Sequence, residues 1–294
     1  MKSKFLLTIA IAAAFLGNAR AEVKIPDEYK TGDFFIGCQA YTFNRFSAFE
    51  AIEKTAQAGG KVIEFYPGQK LSKEEPTVKW DHNASDETVG KVQAKLAQHK
   101  IKAVNYGVVG IAKDEAEARK VFAFAKKMGI RAVTTESTDA IDTIEKLVKE
   151  FDVMVAFHDH PRQPKNANYK VWDPHYILDL VKDRDQRIGA CADTGHWQSS
   201  GLDPVYCLRV LKGRVISSHM KDKTDFGNRG TDKTDTHDVP YGTGVGRIGM
   251  CLDELKKQKF DGNISIEYEH NWDNNLPDVT KCVEFVRDHK SAAK

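Results

Sequence analysis

The sequence has no excess of charge of either sign, no paired-cysteine motif and no apolar run long enough to span a membrane. Each absence removes a class of function. Its 44 basic and 42 acidic residues leave a net charge of +2, so nothing electrostatic points to nucleic acid or an anionic membrane as partner. The five cysteines, at positions 38, 191, 207, 251 and 282, are widely spaced without any C-x-x-C. Most lie in apolar runs and read as buried thiols rather than a disulfide framework. No glycine-rich dinucleotide loop follows any strand-like segment. There is also no internal repeat, low-complexity tract or linker to a second domain.

What is present begins with a leader. Lys2 and Lys4 precede an apolar run from Phe5 to Leu16, and Ala19-Arg20-Ala21 has the small-x-small form of a signal peptidase site. The run is too short for a permanent membrane helix, so residues 1–21 read as a signal peptide, a retained anchor being the alternative. The mature chain then starts near Glu22 and is exported, periplasmic or secreted, with no stable membrane insertion. Residues 22–294 have the length of one α/β barrel or two average domains. An apolar content of 41% is enough for a sizeable core.

Strand-like and helix-like segments alternate along that length. Strands are expected at 34–41, 62–66, 101–106, 132–136, 153–158, 188–193, 215–219 and 263–267. The segments between carry helical stripes, such as Val121, Phe124, Ala125 and Met128 at i, i+3, i+4 and i+7. Short strands that are apolar throughout and separated by helices form a parallel sheet covered on both faces. Eight such units predict a single closed (β/α)8 barrel, a TIM barrel, with an open doubly wound sheet as the alternative.

In such a barrel the residues ending the strands converge on one face. Here they are Glu64, Glu136, His158 with His160, Asp193 with His196, His219 with Asp222, and Glu267 with Glu269. His158, Asp193, His219 and Glu267 together offer the nitrogen and oxygen donors of a divalent-metal site. Asp193 also stands where it can cap the following helix instead. Aromatic residues near the same loops, Tyr41, Phe65, Tyr66, Trp197 and Trp272, can stack on a sugar ring or simply pack. The 221–247 loop carries Lys221, Lys223, Arg229, Lys233 and His237, and it reads as a solvated loop or a substrate lid.

Asp193-Thr194-Gly195-His196, Ser218-His219-Met220-Lys221-Asp222 and Ile266-Glu267-Tyr268-Glu269 resemble the last three metal-bearing strands of the xylose-isomerase-like barrels. That family includes the sugar phosphate isomerases/epimerases. The resemblance implies Asp193, His219 and Glu267 as ligands of one divalent ion, and the mixed donor set suits Mn²⁺ or Co²⁺ in preference to Zn²⁺ or Mg²⁺. Many members end strand five with a Glu that binds metal and moves protons, whereas this chain has His158-Asp159-His160 there. A His-x-His at that place is similar to inosose dehydratases, as is Asp193-Thr194-Gly195-His196 followed by Gly201-Leu202-Asp203-Pro204.

The expected chemistry is removal of a proton next to the carbonyl of a sugar, keto-sugar or keto-glycoside. His158 joins the ligands, His160 or His196 moves the proton, and Glu136 and Lys221 are further catalytic candidates. Glu64, Trp197, His237 and Glu269 are candidates for substrate contact. Two imidazoles beside a metal suit abstraction followed by loss of a leaving group, which tilts the expectation toward β-elimination over isomerisation or epimerisation. A non-catalytic sugar-binding barrel would not need the full ligand set. A metal nuclease, of the kind endonuclease IV represents on this barrel type, would need a basic groove that the charge balance does not favour.

Overall fold

The computed structural model describes residues 24–227 and 236–290. The expected signal peptide, residues 1–21, lies outside them, as do Arg229 and Lys233. Eight strands form a closed, wholly parallel barrel in chain order. They are β1 (Phe35–Gln39), β2 (Val62–Phe65), β3 (Lys102–Tyr106), β4 (Ala132–Thr135), β5 (Met154–His158), β6 (Ile188–Asp193), β7 (Val215–Met220) and β8 (Asn263–Ile266). The helices are α1 (Ala48–Gln57), α2 (Asp86–His99), α3 (Glu115–Met128), α4 (Ile141–Phe151), α5 (Pro174–Val181), α6 (Thr194–Ser199), α7 (Pro204–Val210), α8 (Ile248–Lys257) and α9 (Leu276–Asp288). The (β/α)8 expectation is met, and the open sheet is excluded by closure of β1 on β8. No helix among the described residues is long and apolar enough to cross a membrane.

Period-two alternation decides which side chains reach the lumen. On β6, Ile188, Ala190 and Ala192 pack outward in the main core, while Cys191 lies with Ala132, Met154, Ala156 and Ile216 in a separate inner cluster. Asp193 shares the parity of Cys191 and so faces inward at the strand's end. The same count carries His158 inward from Met154 and Ala156 on β5. On β8, Ile264 and Ile266 pack outward, which turns Asn263, Ser265 and then Glu267 into the barrel. The ligand-type residues therefore converge because the apolar residues between them do not. All five cysteines are buried and free.

The helices start and stop on local chemistry. Ser47 and Glu50 form a reciprocal capping box at α1, and Asp114 caps α3, which ends at Gly129 with φ 64°. The stretch after β2, expected as a plain loop, contains a two-stranded antiparallel ribbon, Gln69–Lys70 against Lys79–Trp80. A second ribbon, Asp222–Lys223 against Asp238–Val239, organises part of the loop after β7. Two residues per strand are too few to leave a periodic signal, so neither was legible.

Two glycines test this packing in opposite directions. On β1 a Cβ at Gly37 would sit 1.6 Å from the Val62 carbonyl oxygen, whereas at Gly90, exposed within α2, it would meet nothing within 4 Å. Gly37→Ala is expected to lower stability by at least about 2 kcal/mol through backbone overpacking. Gly90→Ala is expected to raise it by about 0.5–1 kcal/mol through helix propensity and lost unfolded-state entropy. Urea midpoints of the two variants decide the matter: equal shifts would contradict the strand spacing.

Candidate active site

Four side chains at the C-terminal mouth, His158, Asp193, His219 and Glu267, each offer one donor atom, and these atoms lie within 4.8 Å of one another. All four residues are buried. Asp193 does two jobs at once. Its Oδ1 accepts the His196 backbone N–H at 2.8 Å and so caps α6, while its Oδ2 has no hydrogen-bond partner and faces the cluster. The cap and ligand readings of Asp193 are both true, one for each oxygen.

Both histidines have carboxylates beside the ring, but only His158 is hydrogen-bonded to one. His158 has Nδ1 3.1 Å from Glu136 Oε1, leaving Nε2 turned to the cluster, 3.4 Å from Asp193 Oδ2. His219 has Nε2 3.0 Å from Glu64 Oε1 and Nδ1 3.2 Å from Glu267 Oε2. The Glu136 carboxylate on Nδ1 fixes the His158 tautomer that offers Nε2 as a lone pair. Glu64 is itself gripped by Thr134 Oγ1 at 3.0 Å and Ser265 Oγ at 2.8 Å.

Lys221 follows His219 by two residues and is fully buried. Its Nζ stands 2.7 Å from Glu267 Oε2, 3.1 Å from Asp193 Oδ2 and 3.5 Å from Glu269 Oε2. Burial pulls its ammonium down, but Asp193, Glu267 and Glu269 outweigh that and hold it well above the usual lysine range. Burial raises Asp193, yet His196 and Lys221 keep its carboxyl well below the usual range. His158 is pushed up to about 10: burial lowers it, and the Asp193 and Glu136 carboxylates beside its ring more than reverse the effect.

These groups fit a divalent cation. Asp193 and Glu267 share the buried ammonium of Lys221, and Glu64 faces His219. His158 Nε2, Asp193 Oδ2 and both His219 ring nitrogens lack hydrogen bonds although buried. Orphaned ligand atoms converging on one point beside buried carboxylates are what a divalent ion satisfies. Mixed imidazole and carboxylate donors also suit such an ion.

A cavity of about 280 Å³ opens above the cluster. One wall is Glu136, His158, His160 and His196, and the other is Gln39, Tyr41, Tyr66, Glu267 and Glu269. His160 faces this space and makes no hydrogen bond among the described residues. Burial holds its imidazole below the usual range. His196 is more committed, with Nδ1 2.9 Å from the Asp159 carbonyl oxygen and Nε2 3.3 Å from Lys221 Nζ. Both oxygens of Glu136 are engaged, Oε1 with His158 and Oε2 with the Tyr169 hydroxyl at 3.0 Å. Glu269 is fixed from behind, its N–H donating to Asp238 Oδ2 at 2.6 Å, and Asp238 is paired with Lys223 at 2.8 Å.

Several residues that the sequence offered as candidates lie outside the substrate space. Glu64 is wholly buried beneath His219 and reaches no substrate space, because Thr134 and Ser265 draw it into the lumen. Trp197 is packed in the main core, 1% exposed, since its helix α6 turns that face to the barrel wall. Phe65 is likewise core. His237 is exposed and stacks on His270 at 4.3 Å, outside the cavity wall. Asp222 turns from the cluster to accept the N–H groups of Gly242, Gly244 and Gly246. Lys223, offered as a lid residue, is buried against Asp238. Tyr41 and Tyr66 do line the cavity and meet edge to face at 5.3 Å, with Trp272 on the far side of Tyr41 at 5.8 Å.

Gln39, Asp159 and Tyr169 were not anticipated. Gln39 ends β1 and was visible as a polar strand end, and Asp159 sits inside the His-x-His. Tyr169 comes from a loop with no pattern to mark it.

Solved structures carry the same architecture. An uncharacterized protein from Parabacteroides distasonis is 30% identical over 87% of this chain and 98% of that one, with a TM-score of 0.67. A D-allulose 3-epimerase from Methylomonas sp. is 14% identical over 87% of this chain and 98% of that one, TM-score 0.65. A probable 3-DHS dehydratase involved in petrobactin synthesis from Bacillus anthracis is 14% identical over 87% of this chain and all (100%) of that one, TM-score 0.60. At such identities the last two show likeness of fold alone. No curated protein is matched. The family described as Xylose isomerase-like TIM barrel matches residues 52–289, so by sequence and by fold this chain belongs to the xylose isomerase-like TIM barrels.

Proposed function

We propose that the protein is an exported, divalent-metal-dependent enzyme that removes the proton next to the carbonyl of a sugar, keto-sugar or keto-glycoside. The reading leans toward elimination of the substituent β to that carbonyl. Its place outside the cytoplasm rests on the leader-like residues 1–21. Membership in a family whose solved relatives include epimerases and a dehydratase supports sugar-type substrates, as does the aromatic wall of Tyr41 and Tyr66.

The observation that carries the reaction is the uncommitted imidazole of His160. His158, Asp193, His219 and Glu267 would hold the ion, which when bound acts as a Lewis acid toward a carbonyl and adjacent hydroxyl. His160, open to the cavity and without a hydrogen bond among the described residues, is the base for the α-proton. His196 has both nitrogens occupied and orients rather than abstracts. Glu136 is likewise spent on His158 and Tyr169, and Glu269 is placed to hydrogen-bond a substrate hydroxyl. Epimerisation calls for proton-transfer groups on both faces of one carbon. A single free base suits loss of a leaving group better, and that supports the lean to elimination. Manganese or cobalt is the preferred ion, on the same mixed donor set.

Two experiments test this reading. Asp193→Ala is expected to cut bound divalent metal, measured by elemental analysis, from near stoichiometric to near zero, with far-ultraviolet circular dichroism unchanged. In the loaded protein the four donor atoms are expected roughly 2.0–2.3 Å from one ion. Retention of metal by Asp193→Ala would leave Asp193 as a cap alone.

For the chemistry, keto-sugars and keto-glycosides are incubated in D₂O. Elimination gives an unsaturated or hydrated keto product with the β-substituent released. Epimerisation or isomerisation returns intact sugar with deuterium at the carbon that lost its proton, and that result moves the assignment to the isomerase/epimerase reading. His160→Asn is expected to lower kcat about 10²–10⁴-fold, the range of a lost general base, while metal content stays normal.

A further inference from the structure

Next to the central cavity lies a second groove of about 840 Å³, against about 280 Å³ for the cavity. The smaller space lies at the lower limit of ligand pockets, room for about one sugar ring. Tyr66 belongs to both walls, so anything that outgrows the cavity on that side passes over its ring into the groove.

The groove is basic in an unusual way. In the ribbon after β2, Lys70 stands directly opposite Lys79. Both side chains are exposed, and neither makes an ion pair among the described residues. Like charges opposed across two strands destabilise the pairing, so this arrangement costs stability unless an anion lies between them. The ribbon is also too well anchored to splay apart. Its neighbouring pair is Gln69 with Trp80, both buried. Gln69 Nε2 donates to the Phe46 carbonyl at 3.1 Å, and Trp80 is wedged edge-on between Phe65 and Phe124 at 5.5 and 5.2 Å. Arg45 and Lys73 line the same groove. Lys73 pairs with Glu50 at 2.8 Å, and Arg45 reaches Asp273 at 3.4 Å with both side chains mostly exposed. The groove wall thus carries four cations and one carboxylate.

We propose that the groove lined by Arg45, Lys70, Lys73 and Lys79 is a remote subsite for an anionic group, a carboxylate or a sulfate ester, carried on the part of a glycoside that extends past Tyr66. The inference rests on the reading of the central cavity as a sugar site and names the substrate class as acidic glycosides. The lysine pair fixes where the charge sits, and Tyr66 spaces it from the reacting ring. Remote binding of this kind positions the substrate without touching the chemistry.

The test is equilibrium binding by calorimetry to the full mature chain, with no turnover required. The probes are trigalacturonate, a sulfated disaccharide and the neutral cellotriose, at 50 and 300 mM NaCl. An acidic probe is expected to bind at least about tenfold more tightly than cellotriose, and to weaken severalfold at the higher salt, as exposed charges do. Whichever acidic probe binds more tightly names the anion. Lys70→Ala with Lys79→Ala is expected to lose about tenfold in acidic affinity, while cellotriose affinity and bound metal stay unchanged. Failure of the metal reading therefore leaves this result standing, and the converse also holds. Lys70→Glu is expected to raise the melting temperature, because it turns a repulsive cross-strand pair into an attractive one, and to remove acidic binding. Equal affinity for neutral and acidic probes, or full acidic affinity in the double lysine variant, overturns the proposal.

Discussion

Carboxylates taken out of water need positive charge within reach, and the mouth of this barrel is built around that constraint. Asp193 and Glu267 both lean on Lys221, whose ammonium lies 3.1 and 2.7 Å from them. One lysine does not balance them together with Glu64. The histidines absorb part of the remainder, as the elevated His158 shows. The hydrogen bonds that would normally quiet such atoms are missing at His158 Nε2, Asp193 Oδ2 and His219. Everything else at the mouth is support for this unfinished balance: Thr134 and Ser265 beneath Glu64, Tyr169 behind Glu136, and Asp238 behind Glu269.

The barrel was largely legible in the sequence because its signal is repeated and long-range: apolar strands, amphipathic helices and polar strand ends in one order. His158, Asp193 and Glu267 were legible for the same reason, since the apolar residues before them set their parity. His219 departs from the count, because Ile216 on its strand faces the inner cluster and the register shifts after Val215. What could not be read was the difference between facing the cluster and facing the substrate. Glu64 and Glu136 look alike as strand ends. Glu64 is drawn inward by Thr134 and Ser265, two small hydroxyl side chains from other strands, and no local pattern reports them. Trp197 beside His196 looked like a stacking platform, yet the cap made by Asp193 starts α6 at an angle that sends the indole into the core. Lys221 was visible as a lysine in a loop, but its depth follows from Thr194 Oγ1, which accepts the Lys221 N–H at 2.8 Å.

The two ribbons show how short insertions shape a barrel of this kind without disturbing it. Each adds two paired residues per strand, too little to fold alone, and each borrows rigidity from the barrel. One rests on Trp80 and reaches into the main core. The other rests on Asp222, which gathers three glycine N–H groups, and on the Lys223–Asp238 pair. Loops anchored in this way can vary at their outer residues while their inner residues keep the wall in place.

The contact between Glu64 and His219 joins β2 to β7 through the lumen, and Thr134 brings in β4. All four donors, His158, Asp193, His219 and Glu267, come from the second half of the chain, so that half looks like a complete metal-binding module. It is not one, because Glu136, the carboxylate hydrogen-bonded to His158, and Glu64, which faces His219, both belong to the first half. A duplicated or exchanged half-barrel would carry every ligand and still present one of them in an undecided tautomer. The site is therefore complete only in the closed barrel, where β2 and β4 bring Glu64 and Glu136 to the histidines of β7 and β5.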